Sequence, residues 1–143
     1  DAEIDHSQKW LNNHWRTIQS AYGKAPFFEH YSDDLRRILF KQHRYLYDLD
    51  MELLTLCQKW LRYNIPVRET TFYEDNPGIG INDSRSVLNP KKADSCNTFF
   101  KSVKYHQVFG SKFVNNLSII DLIFCEGPGA PTIIRSSAVE MNK

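Results

Sequence analysis

Few side chains in this sequence stand at spacings that support chemistry. Asp83 and Arg85 lie two residues apart in a segment with few apolar residues, and an arginine fork can bind a carboxylate or phosphate through two parallel hydrogen bonds. The five histidines show no spacing that would place two imidazoles on one helical face, so no metal site is predicted. GxxxxGK[ST], complete GxGxxG, GxSxG and HExxH motifs are also absent, which removes support for the common nucleotide and hydrolase classes and predicts no cofactor.

Other polar residues have simpler explanations than catalysis. His14 lies one helical turn from both Trp10 and Ile18, so a packed, hydrogen-bonded histidine is the alternative to a general base or a ligand. Asp121 follows Ser118 at the spacing of a capping box, which explains its carboxylate without catalysis. A locally basic stretch is either a solvated face or an anion site. Its lysines are Lys91, Lys92, Lys101, Lys104 and Lys112.

Composition limits the class of protein. A chain of 143 residues with 41% hydrophobic residues can bury one core, so a single domain or fragment over 1–143 is predicted. The net charge of +1 gives no field that would draw the chain to nucleic acid or an anionic membrane. Three cysteines without a CxxC pair are typical of reduced thiols, and no apolar run approaches the roughly 18 residues of a membrane span. We therefore predict a cytoplasmic chain that binds no nucleic acid and spans no membrane.

The first part of the chain, residues 1–65, has the apolar periodicity of three amphipathic helices. The first helix is predicted to begin from Asp5 or Ser7 as its N-cap and to close at Gly23. The second is predicted to start at Ser32, because the two aspartates that follow suit the positive end of a helix.

The remaining elements follow from breaks in the pattern. A break near residues 48–50 opens the third helix, which ends before a proline. The part 66–97 is predicted to hold a short strand and then a long irregular loop over about 74–97. The part 98–135 is rich in aromatic residues and ends in a short helix opened by the capping box. The expected fold class is α+β and helix-dominated, with three amphipathic helices and one or two short strands.

Three blocks of the sequence, in this order along the chain, resemble the WbqC-like protein family. The first holds Trp10, His14, Trp15, Ala21-Tyr22, Ala25-Pro26-Phe27-Phe28 and Tyr31. The second holds Asp83-Ser84-Arg85 and Asn89-Pro90-Lys91-Lys92. The third begins Tyr105-His106-Gln107-Val108-Phe109 and closes on Glu126-Gly127-Pro128. Members of the family carry further residues upstream, so the resemblance implies that this chain is the C-terminal part of a longer protein whose N-terminal half is missing here.

The resemblance also implies a function. The family is associated with bacterial surface-polysaccharide (O-antigen) gene clusters, which implies a sugar-modifying acyl or glycyl transferase that takes a sugar nucleotide or an acyl donor. The piece by itself is then expected to be inactive. A different class of function is a non-enzymatic helical interaction module or carbohydrate-binding module. Homodimerisation through the surface that the missing half would cover is a further expectation.

Under this resemblance, polar residues in the family-like blocks become site candidates. His14 is the candidate general base, and Tyr105 with Gln107 would orient a sugar or acyl oxygen by hydrogen bonding. The substrate-binding candidates, of which Arg85 and Lys91 would hold phosphate or carboxylate, are Tyr22, Asp83, Arg85 and Lys91.

Overall fold

The fold is described by a computed structural model for residues 2–76, 78–81, 83, 85 and 100–139. Within these ranges the chain is built from helices, which confirms the helix-dominated prediction. The helices are α1 (Trp10–Tyr22), α2 (Phe28–Leu39), α3 (Leu46–Trp60), α4 (Ile119–Glu126) and α5 (Ala130–Ser137). A single 3-10 turn, Gly127–Gly129, joins α4 to α5.

The predicted strand at the start of the part 66–97 is not found. Residues 67–73 form no ladder, and the side chain of Tyr73 is 77% exposed. Aromatic and β-branched residues form strands only where a partner strand and a buried face are present, and the described part of the chain offers neither to this segment. Strand pairing there is limited to two isolated bridges, Glu3 with Tyr45 and Phe100 with Ala138.

The start of α1 differs from the prediction, whereas its end agrees with it. Gly23 is the C-cap residue. The helix begins at Trp10 because Asp5 forms a turn of its own, in which its Oδ1 accepts a hydrogen bond of 2.8 Å from the backbone N–H of Ser7. Neither Asp5 nor Ser7 is therefore the N-cap.

The start of α2 and the boundary between α2 and α3 also differ. Ser32 is buried inside α2, which begins at Phe28, so the predicted N-cap is wrong. The chain reverses around Gln42, whose φ of 59° is left-handed, and not near residues 48–50. Asp48 instead lies in the first turn of α3, where its negative charge interacts favourably with the positive end of the helix dipole.

One core joins α4 to the first three helices. Phe124 is fully buried and lies edge-on to Phe28, with 5.1 Å between the ring centroids. The backbone N–H of Phe27 donates to the carbonyl oxygen of Phe124 over 3.0 Å. These contacts fix α4 against the N-terminal helices. They therefore also fix the position of its first turn. Other buried members of this core are Trp15, Leu35, Leu39, Leu49, Leu56, Trp60, Leu122 and Ile123.

The end of α4 depends on a glycine. Gly127 has a φ of 50°, and a Cβ atom there would lie 2.5 Å from the ring of Phe27. That distance is too short for any residue with a side chain. Helix α5 follows, where a proline, Pro131, occupies an early position at which the missing backbone N–H costs nothing. This helix was not predicted.

Candidate functional site

A fully buried carboxylate, Asp121, is the centre of the candidate site. It is the third residue of α4 and has no exposed surface. Its Oδ2 accepts a 2.5 Å hydrogen bond from the hydroxyl of Tyr105 and a 3.1 Å bond from the Nε2 of Gln107. The predicted capping role is wrong, because the helix start at Ser118 has no side-chain cap among the described residues. The core-facing donors hold the carboxylate instead.

Gln107 connects this carboxylate to the loop that follows it. Its Nε2 also donates to the carbonyl oxygen of Val114 over 2.9 Å, and its Oε1 accepts from the backbone N–H of Val114 over 2.8 Å. These paired bonds close the loop 107–114 and use both ends of the amide. Gln107 therefore positions the Asp121 carboxylate and leaves no amide group directed at a ligand.

The second carboxylate oxygen of Asp121 is different. Oδ1 is buried and has no hydrogen-bond partner in the part of the chain that the structure describes. An unsatisfied buried acceptor costs about 1–3 kcal/mol, and such groups are uncommon in native proteins unless a role retains them. The hydrogen bonds described here thus account for Oδ2 of Asp121 and not for Oδ1.

Three groups near this carboxylate, two tyrosine hydroxyls and one thiol, have raised pKa values. Burial, followed by the charge of Asp121, raises the pKa of Tyr22 to about 12 and that of Cys125 to about 11. Burial, together with the hydrogen bond to Asp121, raises the pKa of Tyr105 as well. The phenols and the thiol therefore stay protonated at neutral pH.

Tyr105 is the member that faces open space. It lines a cleft of about 400 Å³ and also a second cleft of about 220 Å³, and Phe113 lines both clefts with it. Phe113 packs edge-on against Tyr105, with 5.2 Å between the ring centroids. Asp121 lines neither cleft. A ligand in either cleft would therefore meet the tyrosine, with the carboxylate directly behind it.

A family model described as the WbqC-like protein family matches residues 1–87. This chain belongs to the WbqC-like protein family. The match includes the block Trp10–Tyr31 and the pair Asp83 and Arg85, and it ends before Tyr105. No curated protein and no solved structure matches the chain.

Of the other site candidates of this WbqC-like chain that the structure describes, Tyr22 alone lies beside Asp121. His14 is exposed on α1, where its ring meets Trp10 at 5.4 Å between centroids. His14 is therefore not the packed, hydrogen-bonded histidine that the sequence allowed as an alternative to a general base. It also has no described contact with Tyr105. Tyr22 does join the cluster, and its ring packs against Phe109 and Phe124. Lys91 lies outside the described residues.

Arg85 binds its own loop. Its guanidinium donates to both carboxylate oxygens of Asp83, at 2.9 and 2.7 Å, and to the carbonyl oxygen of Glu74 at 2.8 Å. It also lies 4.7 Å from the ring centroid of Tyr73. These side-chain hydrogen bonds lower the pKa of Asp83 to about 2. The predicted bidentate grip of Arg85 on a carboxylate is present, but the carboxylate belongs to the protein.

Sequence reasoning missed Asp121 as a site residue. Its signal was a single carboxylate inside the apolar run Ile119-Ile120-Asp121-Leu122-Ile123-Phe124, since an acidic residue in a buried helix needs partners. Among the described residues, no group of His, Cys, Asp and Glu is placed to hold a metal ion. Within the same ranges, none of the helices has both the length and the hydropathy of a membrane-spanning segment.

Proposed function

We propose that this WbqC-like protein transfers an acyl group to a sugar hydroxyl in bacterial surface-polysaccharide (O-antigen) biosynthesis. The observation that carries the proposal is the position of Tyr105, whose ring reaches two clefts while its hydroxyl donates to the buried Asp121 over 2.5 Å. Acyl transfer to a hydroxyl needs a group that removes the proton of that hydroxyl. A phenol with a carboxylate behind it is such a group.

In the proposed reaction the oxygen of the acceptor hydroxyl attacks the carbonyl carbon of an activated acyl donor. The new carbon–oxygen bond forms, and the bond to the leaving group breaks with its electron pair going to the leaving group. The proton of the acceptor passes to the phenolic oxygen of Tyr105 while the proton of Tyr105 passes to Oδ2 of Asp121. Because the pKa of Tyr105 is raised, a free phenolate is unfavourable and the two proton transfers are expected to occur together.

The neighbouring residues have positioning roles in this proposal. Gln107 fixes the carboxylate through its 3.1 Å bond to Oδ2 and fixes the loop through Val114. In this proposal Tyr22, whose ring packs against Phe124, shields the carboxylate from water. The contacts of His14 give it no step in this reaction. Binding of an anionic donor by Arg85 and Lys91 stays a prediction.

The acyl-transfer activity of the variant Tyr105→Phe tests the proposal. Phenylalanine keeps the ring and removes the proton path, so turnover should fall by about 10²–10⁴-fold, measured as the mass shift of the sugar acceptor. Tyr45→Phe is the matched control, since that tyrosine lies at the start of α3 and not at the cluster. Unchanged turnover in Tyr105→Phe would refute the proposal.

A docking module is the second candidate, and exposed apolar side chains favour it. Between residues 65 and 81, the exposed large apolar side chains are Ile65, Val67, Phe72, Tyr73, Ile79 and Ile81. Where such side chains form one patch, the patch marks an interaction site. The variant Phe72→Ser/Ile81→Ser should leave transfer unchanged if the chain is an enzyme. A change of oligomeric state in light scattering, with no transfer by the parent chain, would favour docking.

A further inference from the structure

The larger of the two clefts, called the apolar cleft below, has a wall of hydrocarbon side chains. Those that carry the argument are Phe100, Val103, Phe113, Leu117, Ile133 and Ile134. Its volume of about 400 Å³ falls within the roughly 300–1,000 Å³ typical of small-molecule sites. The cleft is large enough for part of a substrate and is built from the segment around Tyr105, from α4 and from α5.

Two of the polar groups in its wall already form hydrogen bonds within the protein, and Asn116 and Ser118 also line it. The hydroxyl of Ser102 donates to Oδ1 of Asn115 over 3.2 Å, and the hydroxyl of Ser137 donates to the carbonyl oxygen of Ile133 over 2.8 Å. A charged ligand group would lose its water in this cleft, and none of the described residues that line it carries a charge to compensate. A hydrocarbon group would gain free energy from the same burial.

One lining residue is different, because Tyr105 lines the cleft and its hydroxyl is bound to Asp121. A ligand that suits this cleft is therefore mainly apolar and carries its reactive polar group where it meets Tyr105. We infer that the apolar cleft binds the straight aliphatic chain of the acyl donor, with the acyl carbonyl at Tyr105. This inference rests on the proposed function and narrows its donor to an aliphatic acyl group, in place of glycyl, whose ammonium would be desolvated there.

Binding of straight-chain carboxylic acids to the intact chain tests the inference. Calorimetry with a series from butyrate to dodecanoate should show affinity rising about fourfold for each methylene that is fully buried, up to the length at which the cleft is filled. Glycine and acetate are the matched probes without a chain, and they should bind at least 100-fold more weakly than the best acid.

A variant that fills the cleft supplies the control for location. Leu117→Trp should weaken binding of the best acid by tenfold or more, because Leu117 lines the cleft and lies outside the buried core. Val103→Phe is the second filling variant if circular dichroism shows that the first does not fold. Val67→Trp adds the same bulk at an exposed position and should bind as the parent does.

Several results would overturn the inference. Affinity that does not depend on chain length, or that is equal in Leu117→Trp and the parent, would show that the acids bind elsewhere. A shift from dimer to monomer in Leu117→Trp by light scattering would assign the cleft to a second copy of the chain. Transfer of glycyl but not of aliphatic groups would refute the inference and leave the proposed function standing. Length-dependent binding without transfer of either group would refute the proposed function and leave the chain-binding cleft standing.

Discussion

Two carboxylates of this chain, Asp83 and Asp121, lie in opposite surroundings. Asp83 is on the outside of the loop near residues 74–85, where the charged guanidinium of Arg85 binds both of its oxygens. Asp121 is fully buried, and its donors are the uncharged groups of Tyr105 and Gln107. An exposed ion pair is screened by water and stabilises little, whereas a buried carboxylate depends on each bond it receives. The residue with the more obvious sequence motif thus binds within its own loop, and the residue proposed to accept a proton lies inside an apolar helix.

The largest expected difference between the two regions is catalytic. Asp121→Asn keeps the shape of the side chain but removes the proton acceptor, so we expect turnover to fall by about 10²–10⁴-fold in the mass-shift assay. Asp33→Asn, an equal change on the exposed side of α2, should keep turnover within about twofold, as expected for a surface substitution away from the site. Full turnover in Asp121→Asn would show that the carboxylate is structural.

The next effect concerns the scaffold beneath the buried cluster. Gly127→Ala forces a left-handed residue to carry a Cβ atom 2.5 Å from the ring of Phe27, and we expect a loss of about 2–5 kcal/mol in the free energy of unfolding. Gly78→Ala is the matched control, because a Cβ there would have no neighbour within 4 Å. Urea denaturation measures both, and equal midpoints would show that α4 is not fixed by this contact.

A smaller loss of stability is expected at the hydrogen bond itself. Tyr105→Phe leaves Oδ2 of Asp121 with the single donor Gln107, so the free energy of unfolding should fall by about 2 kcal/mol. In the same urea experiment Tyr45→Phe should change it by less than about 0.5 kcal/mol. If the two variants have the same midpoint, the buried bond is no stronger than a surface contact.

Alkaline pH should lower the free energy of unfolding, because Tyr22 in the buried cluster ionises there. Its pKa rises from 10.0 to about 12 on folding, first because of burial and then because of Asp121. A raised folded pKa means that the stability from this group is complete below pH 10 and is lost as the pH rises to about 12. Tyr22→Phe should therefore show a shallower fall of the urea midpoint over this range. A parallel fall in parent and variant would remove Tyr22 from the cluster.

The smallest effect is expected in the exposed pair. NMR titration of Asp83 should give a midpoint near its lowered pKa of about 2, and Arg85→Gln should return the midpoint toward 3.8. Because the folded pKa is lowered, the stability from this group is present above pH 3.8 and is lost as the pH falls to about 2. The urea midpoint at neutral pH should not change measurably in Arg85→Gln. A clear destabilisation would show that the loop is more than self-contained.

Periodicity was sufficient to predict much of the helical part. Apolar spacing predicts α1, with its end at Gly23, and it also predicts the main course of α2 and α3. Helix starts were less predictable, because Ser32 has the chemistry of an N-cap but is buried inside α2. A cap is favoured only where the chain begins to turn, and tertiary packing determined that point here.

The site was less predictable than the helices. Tyr105 and Gln107 follow from the family resemblance, but their shared partner does not, because the spacing of Ser118 and Asp121 equally fits a local cap. Only the packing of α4 against the core shows that the carboxylate points inward. The strand predicted for residues 67–73 was wrong for a related reason, because strand propensity does not form a strand without a partner strand.

Turnover of the double variant Tyr105→Phe/Asp121→Asn, compared with both single variants, tests the central claim most directly. If the phenol and the carboxylate form one proton path, removing either one breaks it, and the double variant should be no slower than the slower single variant. Losses that multiply would show two independent contributions and would contradict the account of a single Tyr105–Asp121 relay.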